Sequence, residues 1–151
     1  MKNIQILGLS LVICFFYSCG NQNTGKPGSE DQINLLAEGE RYTAIYERDT
    51  AMLTIIRKGK KIEGKLRFIY GSGIPQGGTI KGIVKGDTIL ADYHYQSQKG
   101  QWQRNPIAML RKGGKLYMGV GETKFAWGRT YFANTASIDY EKGRFVFVQE
   151  N

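Results

Sequence analysis

Ile62-Glu63-Gly64-Lys65-Leu66-Arg67-Phe68 alternates apolar or small residues with charged ones, so that every second side chain belongs to one face. That period of two is the mark of a β-strand with one buried side, and it turns Leu66 and Phe68 inward. Runs of similar texture fall near 41–47, 50–58, 79–85, 87–97, 101–111, 115–122, 129–133 and 144–149. Between them lie Arg48-Asp49, Lys58-Gly59-Lys60, Lys85-Gly86-Asp87, Gln98-Lys99-Gly100, Lys112-Gly113-Gly114-Lys115 and Lys142-Gly143. These are hairpin connections, because Gly supplies the positive φ that turns of two to four residues need. The fold class is therefore all-β, a single small antiparallel meander barrel of eight or nine strands, with a β-sandwich as the alternative. Closure is favoured because an open sheet would leave two edges unpaired and an apolar face wet.

Composition agrees with this reading: Gly occurs 20 times, Pro 3 times, and the aromatics are 9 Tyr, 7 Phe and 2 Trp. Asn134-Thr135-Ala136-Ser137 interrupts the pattern and reads as a helical turn or loop. Residues 41–151 are too few for two cores and enough for one.

Upstream of the barrel the chain changes character. Met1-Lys2-Asn3 precedes an apolar run from Ile4 to Phe16, followed by Tyr17-Ser18-Cys19-Gly20. A positive start, a short apolar segment and a small residue before Cys describe a lipoprotein signal peptide over 1–18, cut so that Cys19 becomes the lipidated first residue. The run is shorter than the roughly 20 residues that span a bilayer. Residues 19–40, rich in Asn, Gly, Ser and acid, form a flexible tether. Its r.m.s. reach is roughly 25 Å, from about 5 to 6 Å times the square root of its length. The expected location is the bacterial cell envelope, anchored by lipid to the outer membrane. Cleavage also removes Cys14, so no thiol chemistry, disulfide or Cys-based metal site is expected.

The formal charge of +8 includes Lys2, leaving +7 after cleavage. In a meander alternate turns share an end. The even turns collect Arg57, Lys58, Lys60, Lys61, Lys85, Arg111, Lys112 and Lys115 against Asp87, and Asp139, Glu141, Lys142 and Arg144 are expected with them. The odd turns are nearly neutral. The tether joins the basic end, so the rim of Arg57, Lys58, Lys60, Lys61, Arg111, Lys112 and Lys115 is expected to face an anionic lipid surface. Nucleic acid is not an expected partner of an exported protein, although the chain is basic.

Candidate chemistry is sparse. His94, the only histidine, sits in Asp92-Tyr93-His94-Tyr95; Asp92 lies on its face but about 6.5 to 7 Å away along a strand, and Ser97 points oppositely. No nucleophile elbow is present. Glu63, Asp92 and Glu150 form no evident carboxylate pair, and no metal-ligand spacing occurs, so no cofactor is expected. Gly71 to Gly78 lacks the Gly-Lys-Ser/Thr ending of a phosphate loop. On strand 87–97, Ile89, Ala91, Tyr93 and Tyr95 share one face while Leu90, Asp92, His94 and Gln96 share the other. With the Tyr face inward, Tyr93 and Tyr95 with Trp102 and Arg104 would line a cavity; a core filled by its own side chains is the commoner state of an eight-stranded barrel. The long odd-end loops, 71–78 and 121–128 with Phe125 and Trp127, are the other candidate binding elements.

Gly82-Ile83-Val84-Lys85-Gly86-Asp87-Thr88-Ile89-Leu90-Ala91-Asp92-Tyr93 resembles a motif of small lipoproteins of Bacteroidota-type bacteria. Asp49 to Leu53, Thr79 to Gly82 and Ser97 to Gly100 leading to Arg104 look similar as well. The resemblance covers about half of the domain. It implies the anchor and the β architecture and carries no activity, cofactor or catalytic residue. The family pattern has an acidic residue after the Arg, where Asn105 stands here, and another near Gln98, so chemistry needing those carboxylates is not expected. The expected role is a membrane-anchored binding or scaffold module for a small molecule, glycan or envelope protein. A hydrolase without a recognisable motif and a purely structural envelope protein are the alternatives.

Overall fold

The computed structural model describes residues 39–150, so the signal peptide, Cys19 and the tether up to residue 38 lie outside the described residues. The strands are β1 Glu40–Tyr46, β2 Asp49–Lys58, β3 Lys61–Ile69, β4 Pro75–Lys85, β5 Thr88–Gln96, β6 Trp102–Lys112, β7 Lys115–Met118, β8 Thr123–Ala126, β9 Arg129–Phe132 and β10 Val146–Gln149. Eight of them close a barrel in the order β1-β10-β7-β6-β5-β4-β3-β2, every neighbour antiparallel, while β8 and β9 form a separate hairpin. The meander barrel expected from the sequence is the fold. A sandwich would have left β1 with a free edge, whereas β1 pairs with both β2 and β10.

The period of two settles what is inside. On β3, Ile62, Gly64, Leu66 and Phe68 are buried while Lys61, Glu63 and Arg67 are exposed. Gly64 is required there because a Cβ would lie 2.0 Å from the Thr54 carbonyl oxygen of β2. Leu53, Ile55, Ile62, Leu66, Ile80, Ile89, Met109, Leu116 and Phe147 join in one buried cluster. Fully burying a side chain of this size stabilises by about 1.5–3 kcal/mol each, which is what the alternating pattern supplies in place of disulfides.

Tyr42 closes the floor at the end where β1 begins. Its hydroxyl donates to the Glu40 carboxylate, which also faces Arg111 at 3.4 Å. Burial, helped by Glu40 and opposed by Arg111, pushes the Tyr42 phenol up to about 12. The β1–β10 seam is short, with the pairs Tyr42↔Gln149 and Thr43↔Val148. Three further ties lengthen it. The Glu150 N–H donates to the Arg41 carbonyl at 2.8 Å, the Thr43 hydroxyl donates to the Glu150 carboxylate, and Arg41 lies 3.7 Å from that carboxylate.

The sequence expectations need four corrections. The second half of the Gly71–Gly78 loop is strand, since β4 starts at Pro75 and Gly77 and Gly78 pair with Arg67 and Leu66. The run 115–122 ends at Met118, after which Val120 makes one isolated bridge to Asp139. The loop 121–128 contains β8, which pairs with the expected 129–133 strand to form a hairpin that lies beside β6 and never enters the barrel. Because that hairpin is an excursion, the chain enters β10 from the odd end, where Arg144 meets Asp49 of β2 at 3.7 Å, while Tyr140 runs along the outside of β6 and β7 to hydrogen-bond Thr88. The basic end keeps its eight cations against Asp87 and Glu40, the latter paired with Arg111 at 3.4 Å. Asn134 caps a 3-10 turn over Thr135–Ser137, accepting from the Ala136 N–H at 2.9 Å.

Candidate functional site

The odd end of the barrel is open. Here β3, β4, β5, β6, β7 and the approach to β10 surround a cavity of about 380 Å³. The barrel is thus filled in its basic half and hollow at its mouth, a division that neither of the two expectations for the interior contained.

The cavity wall is aromatic because of strand parity. Tyr93 and Tyr95, two apart on β5, both turn inward, and their rings stack at 4.6 Å and 18°. Across the ladder, β4 offers Gly78 opposite Tyr95. A Cβ on Gly78 would sit 2.7 Å from the Tyr93 ring and 2.7 Å from the Tyr95 Cβ, so the missing side chain is what lets the rings lie over β4. Phe68 and Tyr70 at the end of β3 stack at 5.9 Å. Phe68 meets Tyr93 edge-on at 5.9 Å and Phe145 at 5.3 Å, joining these rings into one wall. Edge-to-face and offset pairs of this kind add about 0.5–1.5 kcal/mol beyond burial.

Polar groups are few and placed. The Tyr93 hydroxyl donates to the Gln76 carbonyl at 3.1 Å, and the Asn105 amide donates to the Tyr95 oxygen at 3.1 Å. Burial holds the Tyr93 phenol far above its ordinary value, so it stays a neutral donor. Burial raises Tyr70 too, with Arg144 acting in the opposite direction. Arg144 stands at the rim, its guanidinium carbon 5.7 Å from the ring centres of both Tyr46 and Phe145, a cation–π distance. Asp49 steadies it. One carboxylate oxygen lies 3.7 Å from Arg144, and the other accepts from the Gly71 N–H at 2.9 Å.

Of the residues singled out in the sequence, Tyr93 and Tyr95 meet in this cavity. Trp102 and Arg104 do not, because the β5–β6 register sets Asn105 opposite Tyr93 and Gln103 opposite Tyr95, which turns the even-numbered residues at the start of β6 outward. Trp102, 66% exposed, stacks on His94 at 4.7 Å on the outer surface. Arg104 pairs with Asp92 at 2.8 Å beside a shallow outer cleft of about 190 Å³ that also involves Thr79, Lys81 and His94. Asp92 is thus engaged by Arg104 and His94 by Trp102. Trp127 occupies the tip of the β8–β9 hairpin at φ 55°, 98% exposed and away from the cavity. Gln76, from the candidate segment 71–78, also lines the cavity, whereas sequence reasoning missed Tyr70, Asn105, Arg144 and Phe145 as site residues. Continuing the alternation past Phe68 would have found Tyr70.

Among the described residues no three His, Cys, Asp or Glu side chains converge. The cavity offers phenols, amides and a guanidinium, a set suited to holding a ligand by stacking and hydrogen bonds. Comparison with known proteins finds no matching family model, no similar curated protein and no similar solved structure. What the fold and site define is a small closed antiparallel barrel with a filled base and one aromatic mouth.

Proposed function

We propose that this chain is a lipid-anchored envelope lipoprotein, of the Bacteroidota type its motifs resemble, whose barrel binds a small molecule at the aromatic mouth. The observation that carries this reading is the 380 Å³ cavity in a barrel otherwise packed to its floor. A concave, mostly apolar site with a few convergent polar groups is the common form of a small-molecule pocket. β1 starts at the basic end, so the tether from Cys19 arrives there and the mouth points away from the lipid. Eight cations around the turns at Lys58–Lys61, Lys85–Asp87 and Arg111–Lys115 support docking on an anionic bilayer, at about 1 kcal/mol for each charge near the surface.

Two experiments test the two halves. Small-molecule fractions extracted from the native envelope should include one that raises the melting temperature of the wild-type protein and leaves Tyr95→Ala unmoved; a ligand at a hundred times its Kd adds about 2.7 kcal/mol. The absence of any such fraction would count against the binding role. Protein lacking its acyl chains should cosediment with anionic but not with phosphatidylcholine vesicles, and replacing Arg57, Lys58, Lys60 and Lys61 with Ser should reduce this. Unchanged cosedimentation would sink the docking.

A second reading, a scaffold for another envelope protein, is favoured by one observation. The β8–β9 hairpin exposes Phe125 at 75% and Trp127 at 98% at its tip, beside Lys124 and Arg129. Truncating both rings to Ala would abolish such an association and leave the mouth intact.

A further inference from the structure

The mouth has a chemical bias that a generic apolar pocket lacks. Arg144 is the one charged side chain among the residues lining it. Its setting is built: Gly143 leaves no room for a side chain, since a Cβ would fall 1.5 Å from the Met118 carbonyl oxygen, so the backbone before Arg144 is pressed against β7. The guanidinium then rests between the Tyr46 and Phe145 rings and Asp49. Asp49 takes one edge only, with its second oxygen committed to the Gly71 N–H. A guanidinium has five N–H donors in a fixed fork, so donors remain for a second, bidentate partner. Of the neutral polar groups nearby, Tyr93 donates to the Gln76 carbonyl and Asn105 to Tyr95, while the Tyr70 hydroxyl and the Gln76 side-chain amide line the same mouth without adding charge.

Size narrows the ligand further. About 380 Å³ stands near the small end of ligand pockets, which run from roughly 300 to 1,000 Å³, and its inner lining, Phe68, Tyr93 and Ile107, belongs to the same buried cluster as the fully buried Leu66, Ile80 and Phe147. A long acyl chain has nowhere to go. One or two flat rings do, against walls that are themselves ring faces and edges.

We infer that the mouth selects a compact aromatic anion, with its ring against Tyr93, Tyr95 and Phe68 and its carboxylate or similar acid on Arg144. This rests on the binding reading above and adds the class of ligand to it. Because the site is assembled before binding, little ordering cost opposes capture.

The test uses the lipoprotein reconstituted in phosphatidylcholine nanodiscs, with empty discs as the partition control. Three probes are titrated by calorimetry: naphthoate, naphthalenemethanol with the same rings and no charge, and octanoate with the same charge and no ring. Naphthoate should bind at least about tenfold more tightly than either of the others, the increment of a charge-assisted bidentate contact. Arg144→Gln should bring naphthoate to the level of naphthalenemethanol and leave the neutral probe unchanged; Arg144→Lys, which keeps the charge, should fall between. Equal binding of naphthoate and the alcohol, or no effect of Arg144→Gln, would overturn the anion selectivity while the pocket itself stood. Octanoate binding as well as naphthoate would overturn the ring requirement. Failure of all three probes in a correctly folded protein would overturn the inference; a native ligand still retained by that protein would show that the binding role survives it.

Discussion

Alanine at Gly77 and alanine at Gly78 differ in which face of β4 receives the methyl group. Neither glycine has positive φ, so both backbones accept Ala without strain. At Gly77 the nearest outside atom to a new Cβ is the Arg67 Cγ at 3.9 Å, an ordinary contact. There the change removes unfolded-state freedom and should stabilise by about 0.4–1 kcal/mol. At Gly78 the Cβ would meet the His94 carbonyl oxygen at 2.3 Å as well as the Tyr93 and Tyr95 side chains at 2.7 Å. Forcing a methyl into such a space costs about 1–3 kcal/mol. The pair should therefore separate by about 1.4–4 kcal/mol. At about 4 °C per kcal/mol for a domain of this size, that is roughly 6–16 °C in melting temperature. Thermal melts of the two variants in the same detergent, followed by circular dichroism, measure it directly. Gly78→Ala should also displace the stacked tyrosines and weaken any ligand in the mouth. A reversed order would mean that β4 is out by one residue, because a slip of one exchanges every inward and outward side chain; equal stabilities would mean that β4 and β5 do not approach closely at Gly78, and in either case the cavity as described would not exist.

Further outcomes follow from other parts of the barrel. Leu66→Ala, at a fully buried position in the filled half, should lose about 2–5 kcal/mol in urea unfolding; a loss below 1 would contradict a packed base. Arg104→Ala breaks an outer-face pair with Asp92 and should change stability by less than about 1 kcal/mol and ligand retention not at all, so loss of binding would relocate the site. The raised phenol of Tyr42 makes its contribution present below the unfolded value of 10.0 and lost as pH rises toward about 12. Denaturation midpoints should accordingly fall between pH 10 and 12, with a shallower fall in Tyr42→Phe; an identical fall would remove Tyr42 from the effect. Gly143→Ala, which drives a methyl into the Met118 carbonyl, should destabilise by about 3 kcal/mol and loosen Arg144, read as a loss of naphthoate binding greater than Gly77→Ala produces.

The barrel was legible because its signals are local. Alternation on Ile62–Phe68 and glycine at Gly59 and Gly86 specify strand, face and turn within a few residues, and the β4–β5 hairpin around Lys85↔Thr88 follows from Gly86-Asp87 alone. The mouth was less legible because it depends on relations between strands. Trp102 and Arg104 were expected inside, and only the register placing Asn105 opposite Tyr93 turns them out. The inward face of β5 was ambiguous in sequence, since Leu90 and His94 answer Ala91 and Tyr93 without a clear contrast. Arg144 falls at the basic end in the sequence reading because Arg129–Phe132 looks like a barrel strand; its pairing with Thr123–Ala126, inside the expected loop, removes that one crossing and brings the chain back into the barrel from the odd end.

Native mass spectrometry of the protein, purified gently from the cells that make it, tests the central claim most directly. The expected spectrum carries a reproducible non-covalent addition of roughly a few hundred daltons, a size that fits a small pocket, and this addition disappears in Tyr95→Ala and shrinks in abundance in Arg144→Gln. A folded protein that arrives bare, or an addition that survives both substitutions unchanged, would contradict a ligand held in the aromatic mouth.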